Sequence, residues 1–239
     1  MPSILMILTS ATSWTQLDGS QRPTGFWAEE FVAPHEVFSA SGADIAIATP
    51  YGGPAVVDAL SLSVEVNHGD SAKVAALSAY LEKHAAALQA PQSLANIHLS
   101  EFDAVFVPGG HGPMQDLAVN ERVGLILAAA LADPEKVVGA VCHGQASFLS
   151  AGNASGSVFR NRRLTAFTDD EETQVGLAAN APWLLETRLR AAGAVFEAGA
   201  PWSPHVVVDG NLVTGQNPAS AAAAAKAVLT ALEARVEAR

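Results

Sequence analysis

The 239-residue chain is 49% apolar and only 15% charged, with 19 glycines and 13 prolines, which excludes a disordered chain and fits one compact domain over residues 1–239 with many tight connections. Thirteen basic against 24 acidic residues leave a net charge of −11, a field that repels phosphate backbones and anionic lipid, so no nucleic acid and no membrane is expected as a partner. The single cysteine, Cys142, cannot close an internal disulfide, and its thiol is either core filler or chemistry.

In chain order, residues 3–8 form an apolar run without a basic flank, too short for a signal peptide or a membrane span, and read as the buried first strand of a cytoplasmic protein. A helical period over 27–41 is followed by a second two-sided apolar run at 45–48. Residues 51–98 open on Tyr51-Gly52-Gly53-Pro54 and carry an alanine-rich helical stretch at 72–89; they read as an insertion lying partly outside the sheet. A strand at 104–107, a helix at 121–132 and a strand at 137–141 resume the alternation. Residues 152–156 read as a surface loop, and 164–167 as a strand-like run into a helix start. A helix at 181–192 is opened by Asn180 and closed by Gly193. Two apolar runs around Asp209-Gly210-Asn211 predict a β-hairpin at 206–214, and an alanine-rich helix closes the chain at 219–238. This alternation predicts an α/β fold: a single-domain three-layer αβα sandwich with a mostly parallel central sheet, its ligands at the carboxyl ends of the strands.

Cys142 directly follows the strand at 137–141 and has Ala140 and Gly144 two residues to either side, the small neighbours that a nucleophile on a sharp strand-to-helix turn requires. The helix start would lower the thiol pKa and offer N–H groups to an oxyanion. The alternative for Cys142 is a small buried core residue. The strand at 104–107 runs into Pro108-Gly109-Gly110-His111-Gly112, where the Gly110 N–H and the amide of His143 could form an oxyanion hole, although such a turn is as often structural. Glu30 has Phe26, Trp27, Ala33, Pro34 and Val37 as its helical neighbours, so its carboxyl group should point inward with a raised pKa and exchange a proton with a thiol or a substrate hydroxyl, unless it is simply a satisfied buried acid. His143 needs a third group to orient it, and the candidates lie in Thr168-Asp169-Asp170-Glu171-Glu172, where helix capping is the ordinary role of acids. His35, His68, His84 and His98 show no ligand spacing, and no metal is expected.

The elbow, the Gly-Gly-His-Gly turn and the inward Glu, in that combination, resemble the ThiJ/PfpI superfamily, whose fold is that of class I glutamine amidotransferases. Within it, Thr24-Gly25-Phe26-Trp27-Ala28-Glu29-Glu30, Ala140-Val141-Cys142-His143-Gly144, Leu164-Thr165-Ala166-Phe167-Thr168 and Val213-Thr214-Gly215-Gln216-Asn217-Pro218-Ala219-Ser220 are similar to the branch of glutathione-independent glyoxalases and heat-shock chaperones. The resemblance implies Cys142 as nucleophile, His143 as its adjacent histidine, Glu172 as the acidic partner of that histidine, Glu30 as the carboxyl group beside the thiol and Gly110 as the oxyanion-hole glycine. Gln145 stands where relatives often carry proline. The implied reaction converts a 2-oxoaldehyde such as methylglyoxal to a 2-hydroxy acid with water, through a cysteine hemithioacetal and without a cofactor; a homodimer is implied by resemblance only. The rival readings are a cysteine hydrolase (amidase or peptidase) and a holding chaperone.

Overall fold

A computed structural model describes residues 1–153 and 156–237; residues 154 and 155 of the expected surface loop, and 238 at the end of the expected last helix, lie outside the described residues. The strands are β1 Ser3–Ile7, β2 Ser13–Thr15, β3 Gln21–Pro23, β4 Asp44–Thr49, β5 Gln92–Ser93, β6 Ala104–Val107, β7 Val137–Val141, β8 Gly152–Asn153, β9 Gly156–Ser157, β10 Arg163–Leu164, β11 Val195–Phe196, β12 Val206–Asp209 and β13 Leu212–Gly215. The α-helices are α1 Ala28–Ala40, α2 Ser71–Lys83, α3 Ala85–Gln89, α4 Gly112–Gln115, α5 Glu121–Ala132, α6 Asp169–Gln174, α7 Leu185–Ala191 and α8 Ala221–Glu237.

Seven strands form the central sheet in the order β12-β13-β7-β6-β1-β4-β5. Every pairing in it is parallel except the β12–β13 hairpin, which turns through Gly210 at φ 58°. Side chains alternate across the sheet as the two-residue strand period dictates. Ile4, Met6 and Leu8 pack with Phe31 and Phe38 of α1 and Val228 of α8, while Leu5 and Ile7 pack with Val123 and Leu127 of α5, Leu189 of α7 and Phe148 of the segment after β7. The expected three-layer sandwich is therefore the observed one. Among the described residues no helix is long and apolar enough to cross a membrane.

Three expected elements differ in extent, each for a local reason. The helix expected at 72–89 is two helices, broken at His84, which leaves helical geometry with φ −102° and ψ 10°. The helix expected at 181–192 begins only at Leu185, because Pro182 forces Ala181 into an extended conformation with ψ 132°. Of the strand expected at 164–167 only Leu164 is paired, with β11 in a separate two-stranded sheet; Thr165 N–H donates instead to the Thr214 side-chain hydroxyl at 3.0 Å. Residues 51–98 supply the edge strand β5 and the helices α2 and α3, and they also clamp the start of α1. Phe26 N–H donates to Val56 O at 2.9 Å and Asp58 N–H to Phe26 O at 2.8 Å, while Ser61 Oγ accepts from Ala28 N–H at 3.1 Å.

The turn after β7 leaves no room for a side chain at Gly144, where a Cβ would overlap the Val107 carbonyl group at the end of β6. Gly144→Ala is expected to push β6 from β7 and lower stability by about 1–3 kcal/mol, the usual cost of overpacking a core, read as a lower urea midpoint with an unchanged m-value.

Candidate active site

The register of the sheet assembles the site. Pairing β6 to β7 sets Val107 beside Ala140, so the turn after β6 lies against the turn after β7 at their carboxyl ends. Cys142 sits there with φ 61°, a left-handed conformation that strains a non-glycine residue and is found where surroundings over-determine it. The residues Cys142–Ser150 continue as a 3-10 helix. Gln145 lies behind the turn, fully buried, and donates to the carbonyl groups of Thr165 and Gly215, both at 2.8 Å; it ties the elbow to β13.

Cys142 Sγ lies 3.3 Å from His143 Nδ1, and His143 Nε2 lies 2.7 Å from Glu172 Oε2. The imidazole turns back beside the thiol of its own neighbour, with Nε2–H donated to the carboxylate and Nδ1 left to accept the thiol proton. Glu172 enters from α6, whose first turn is closed by a reciprocal cap between Thr168 and Glu171. Capping falls to Glu171, which frees the adjacent Glu172 to face the histidine. Burial alone would raise the Glu172 pKa, but His143 and His111 hold the carboxyl well below its ordinary range.

His111 is the member that sequence reasoning missed. Its Nε2 lies 2.9 Å from the other oxygen of Glu172, and its ring stacks between Trp14 and His143 at centroid separations of 4.9 and 4.1 Å. Its position inside a glycine-rich turn at a strand's carboxyl end was the available signal. His111, His143 and Glu172 are the one set of potential metal ligands among the described residues. Both carboxylate oxygens lie at hydrogen-bond distance from imidazole nitrogens.

Glu30 is fully buried in the first turn of α1. Its Oε2 accepts from Gly109 N–H at 2.9 Å, and its Oε1 has no directed hydrogen bond among the described residues. Burial raises its pKa from an ordinary 4.5 to about 8, against the lowering effect of Cys142 and the Gly109 amide. Burial thus favours the carboxylic acid form of Glu30 at neutral pH. Burial, and then the charge of Glu30, push the Cys142 thiol well above its ordinary value, with only the His143 backbone N–H opposing. The lowering expected from a helix start is thus overturned, because one short helix end does not compensate for desolvation next to a second acid. Glu29, one position along, instead meets Lys73 at 2.8 Å.

Gly110 has φ 90° and is wedged against the backbone of Trp27; its N–H donates to no acceptor among the described residues, whereas the Gly109 N–H is taken by Glu30. Gly109 is the nearer to the elbow, since a Cβ there would lie 2.7 Å from His143 N and 2.6 Å from Glu30 Oε2. His35 and His84, far apart in sequence, face each other with ring centroids 4.6 Å apart beside a cavity of about 450 Å³. Burial holds His35 down to about 4 and lowers His84.

A family model described as the DJ-1/PfpI family matches residues 23–231. Glyoxalase 3 of Candida albicans is 28% identical over 240 residues, covering 98% of this chain and 99% of its own. The glutathione-independent glyoxalase HSP31 of Saccharomyces cerevisiae is 28% identical over 238 residues, covering 96% and 98%. The crystal structure of glyoxalase III from Candida albicans superposes with a TM-score of 0.77 at 25% identity, over 96% of this chain and 97% of that one.

Proposed function

Since the chain belongs to the DJ-1/PfpI family, we propose that it is a glutathione-independent glyoxalase that converts 2-oxoaldehydes such as methylglyoxal to 2-hydroxy acids. The observation that carries this reading is a buried carboxyl group, its pKa raised by burial, beside a cysteine that already has its own histidine and carboxylate. Acyl transfer needs only the triad and an oxyanion hole; the additional acid is what moves a proton between two carbon atoms.

The Cys142 thiol attacks the aldehyde carbon C1 while His143 Nδ1 takes its proton. Glu30 gives its proton to the resulting C1 oxygen, so a hemithioacetal forms and Glu30 becomes a carboxylate. No thiolate now faces it, and Glu30 removes the hydrogen on C1 as the imidazolium of His143 protonates the C2 oxygen, giving an enediol. Glu30 returns its proton to C2 and receives that of the C1 hydroxyl, which leaves a 2-hydroxyacyl thioester. His143 then deprotonates a water that attacks the thioester, and Cys142 leaves as a thiol protonated by His143. The free N–H of Gly110 and that of His143 are the donors assigned to the developing oxyanions.

The reading is tested by incubating the protein with methylglyoxal without glutathione, in parallel with amide and peptide substrates, and with Cys142→Ser as control. Lactate from the wild type alone is expected. Amide or peptide turnover without lactate would replace this reading by the hydrolase. Suppression of client aggregation that survives Cys142→Ser, with no turnover of any substrate, would replace it by the holding chaperone.

A further inference from the structure

Resting on the reading of Cys142 as the nucleophile, we propose that His111 is a positioning residue of the same site: it fixes the plane of the Glu172 carboxylate, and through it the tautomer and orientation of His143. One N–H donor holds a carboxylate along a line, and two donors on its two oxygens hold it in a plane. Here the second donor is His111 Nε2, 2.9 Å from Oε1, opposite His143 Nε2, 2.7 Å from Oε2. With Oε1 occupied, Oε2 stays committed to His143, and His143 Nδ1 stays bare toward the thiol at 3.3 Å.

Two observations mark this as more than packing. His111 is buried, and its Nδ1 has no partner among the described residues, an orphan that an apolar ring of the same shape would avoid. Its ring is held rigidly between Trp14 and His143, and the peptide that carries it is pinned by Gly112, where a Cβ would lie 2.6 Å from the Thr9 hydroxyl oxygen. Burial first, and the neighbouring His143 second, hold His111 down to about 4, so it is neutral and donates the one proton it has. A neutral donor orients Glu172 without competing with His143 for its charge.

The test separates ring from donor. His111→Phe keeps a flat ring in the stack and removes the N–H; His111→Gln removes the ring and keeps an N–H that reaches Glu172. His111→Phe is expected to slow Cys142 alkylation by iodoacetamide and to lower kcat by about 10–100-fold, with KM little changed, and His111→Gln to restore most of both. A Phe variant as reactive as wild type, or a Gln variant as impaired as Phe, overturns the proposal. In the unaltered protein, nitrogen-15 NMR should find His111 neutral with its proton on Nε2; a proton on Nδ1 overturns the proposal whether or not the variants fold. Alkylation needs no substrate, so the expected alkylation pattern without methylglyoxal turnover would fault the proposed reaction and leave the role of His111 standing.

Discussion

Glu30→Gln is expected to give a protein more stable than wild type at neutral pH and almost without turnover. An unfolded chain releases the Glu30 proton near 4.5, whereas the folded protein keeps it up to about 8. Between those values the unfolded state binds fewer protons, so this group makes stability fall as pH rises; below 4.5 it contributes nothing. At pH 7 the penalty is on the order of 3 kcal/mol. Glutamine keeps an acceptor for the Gly109 N–H and cannot ionise, so the penalty vanishes in the variant. The gain in melting temperature should therefore grow from pH 4.5 to 8 and disappear at pH 4. Turnover should drop by about 10²–10⁴-fold, the ordinary contribution of acid–base catalysis, since Gln can neither give nor take the proton. In the wild type the rate should fall as pH rises through about 8, because the cycle begins with a protonated carboxyl group.

Glu172→Ala has the opposite stability sign. Removing the carboxylate strands two buried imidazole N–H groups at once, each at a cost of about 1–3 kcal/mol. Because the folded pKa lies below the ordinary one, the stabilisation by Glu172 is complete above its ordinary value of 4.5 and is lost as pH falls toward the folded value. Urea denaturation should therefore show a deficit that is largest near neutrality and shrinks in acid. Activity should fall by about 10⁴-fold, as when the orienting acid of a triad is lost. The two buried carboxyl groups of one site are thus expected to carry opposite signatures: in the proposed mechanism Glu30 costs stability and acts as an acid, while Glu172 stabilises and acts as an anion.

Features governed by local spacing were readable before the structure. The apolar stripe around Glu30 follows from the helical period, and the elbow follows from an apolar strand run ending in Cys142 between Ala140 and Gly144. The same logic located the hairpin at Gly210. Features governed by long-range register were not readable. That His111 shares a carboxylate with His143 depends on Val107 pairing with Ala140 and on α6 delivering Glu172 from 61 residues away. His35 and His84 meet only because α1 packs against α2, whose carboxyl end is capped by His84. The choice among the acids at 169–172 turned on which of them the cap consumes, and Thr168 takes Glu171. The direction of the thiol shift was missed because spacing carries no information on burial, which dominates at Cys142.

The central claim is that Cys142 and Glu30 together carry a proton from C1 to C2 of a bound 2-oxoaldehyde. It is tested most directly by following methylglyoxal in deuterium oxide by NMR, without glutathione, using wild type, Cys142→Ser and Glu30→Gln. The account predicts lactate from the wild type that keeps the original C1 hydrogen at C2, because Glu30, fully buried beside the thiol, returns to C2 the proton it took from C1 within the same turnover, and essentially none from either variant. Lactate formed at the wild-type rate by Cys142→Ser or by Glu30→Gln, or wild-type lactate fully deuterated at C2, would contradict it.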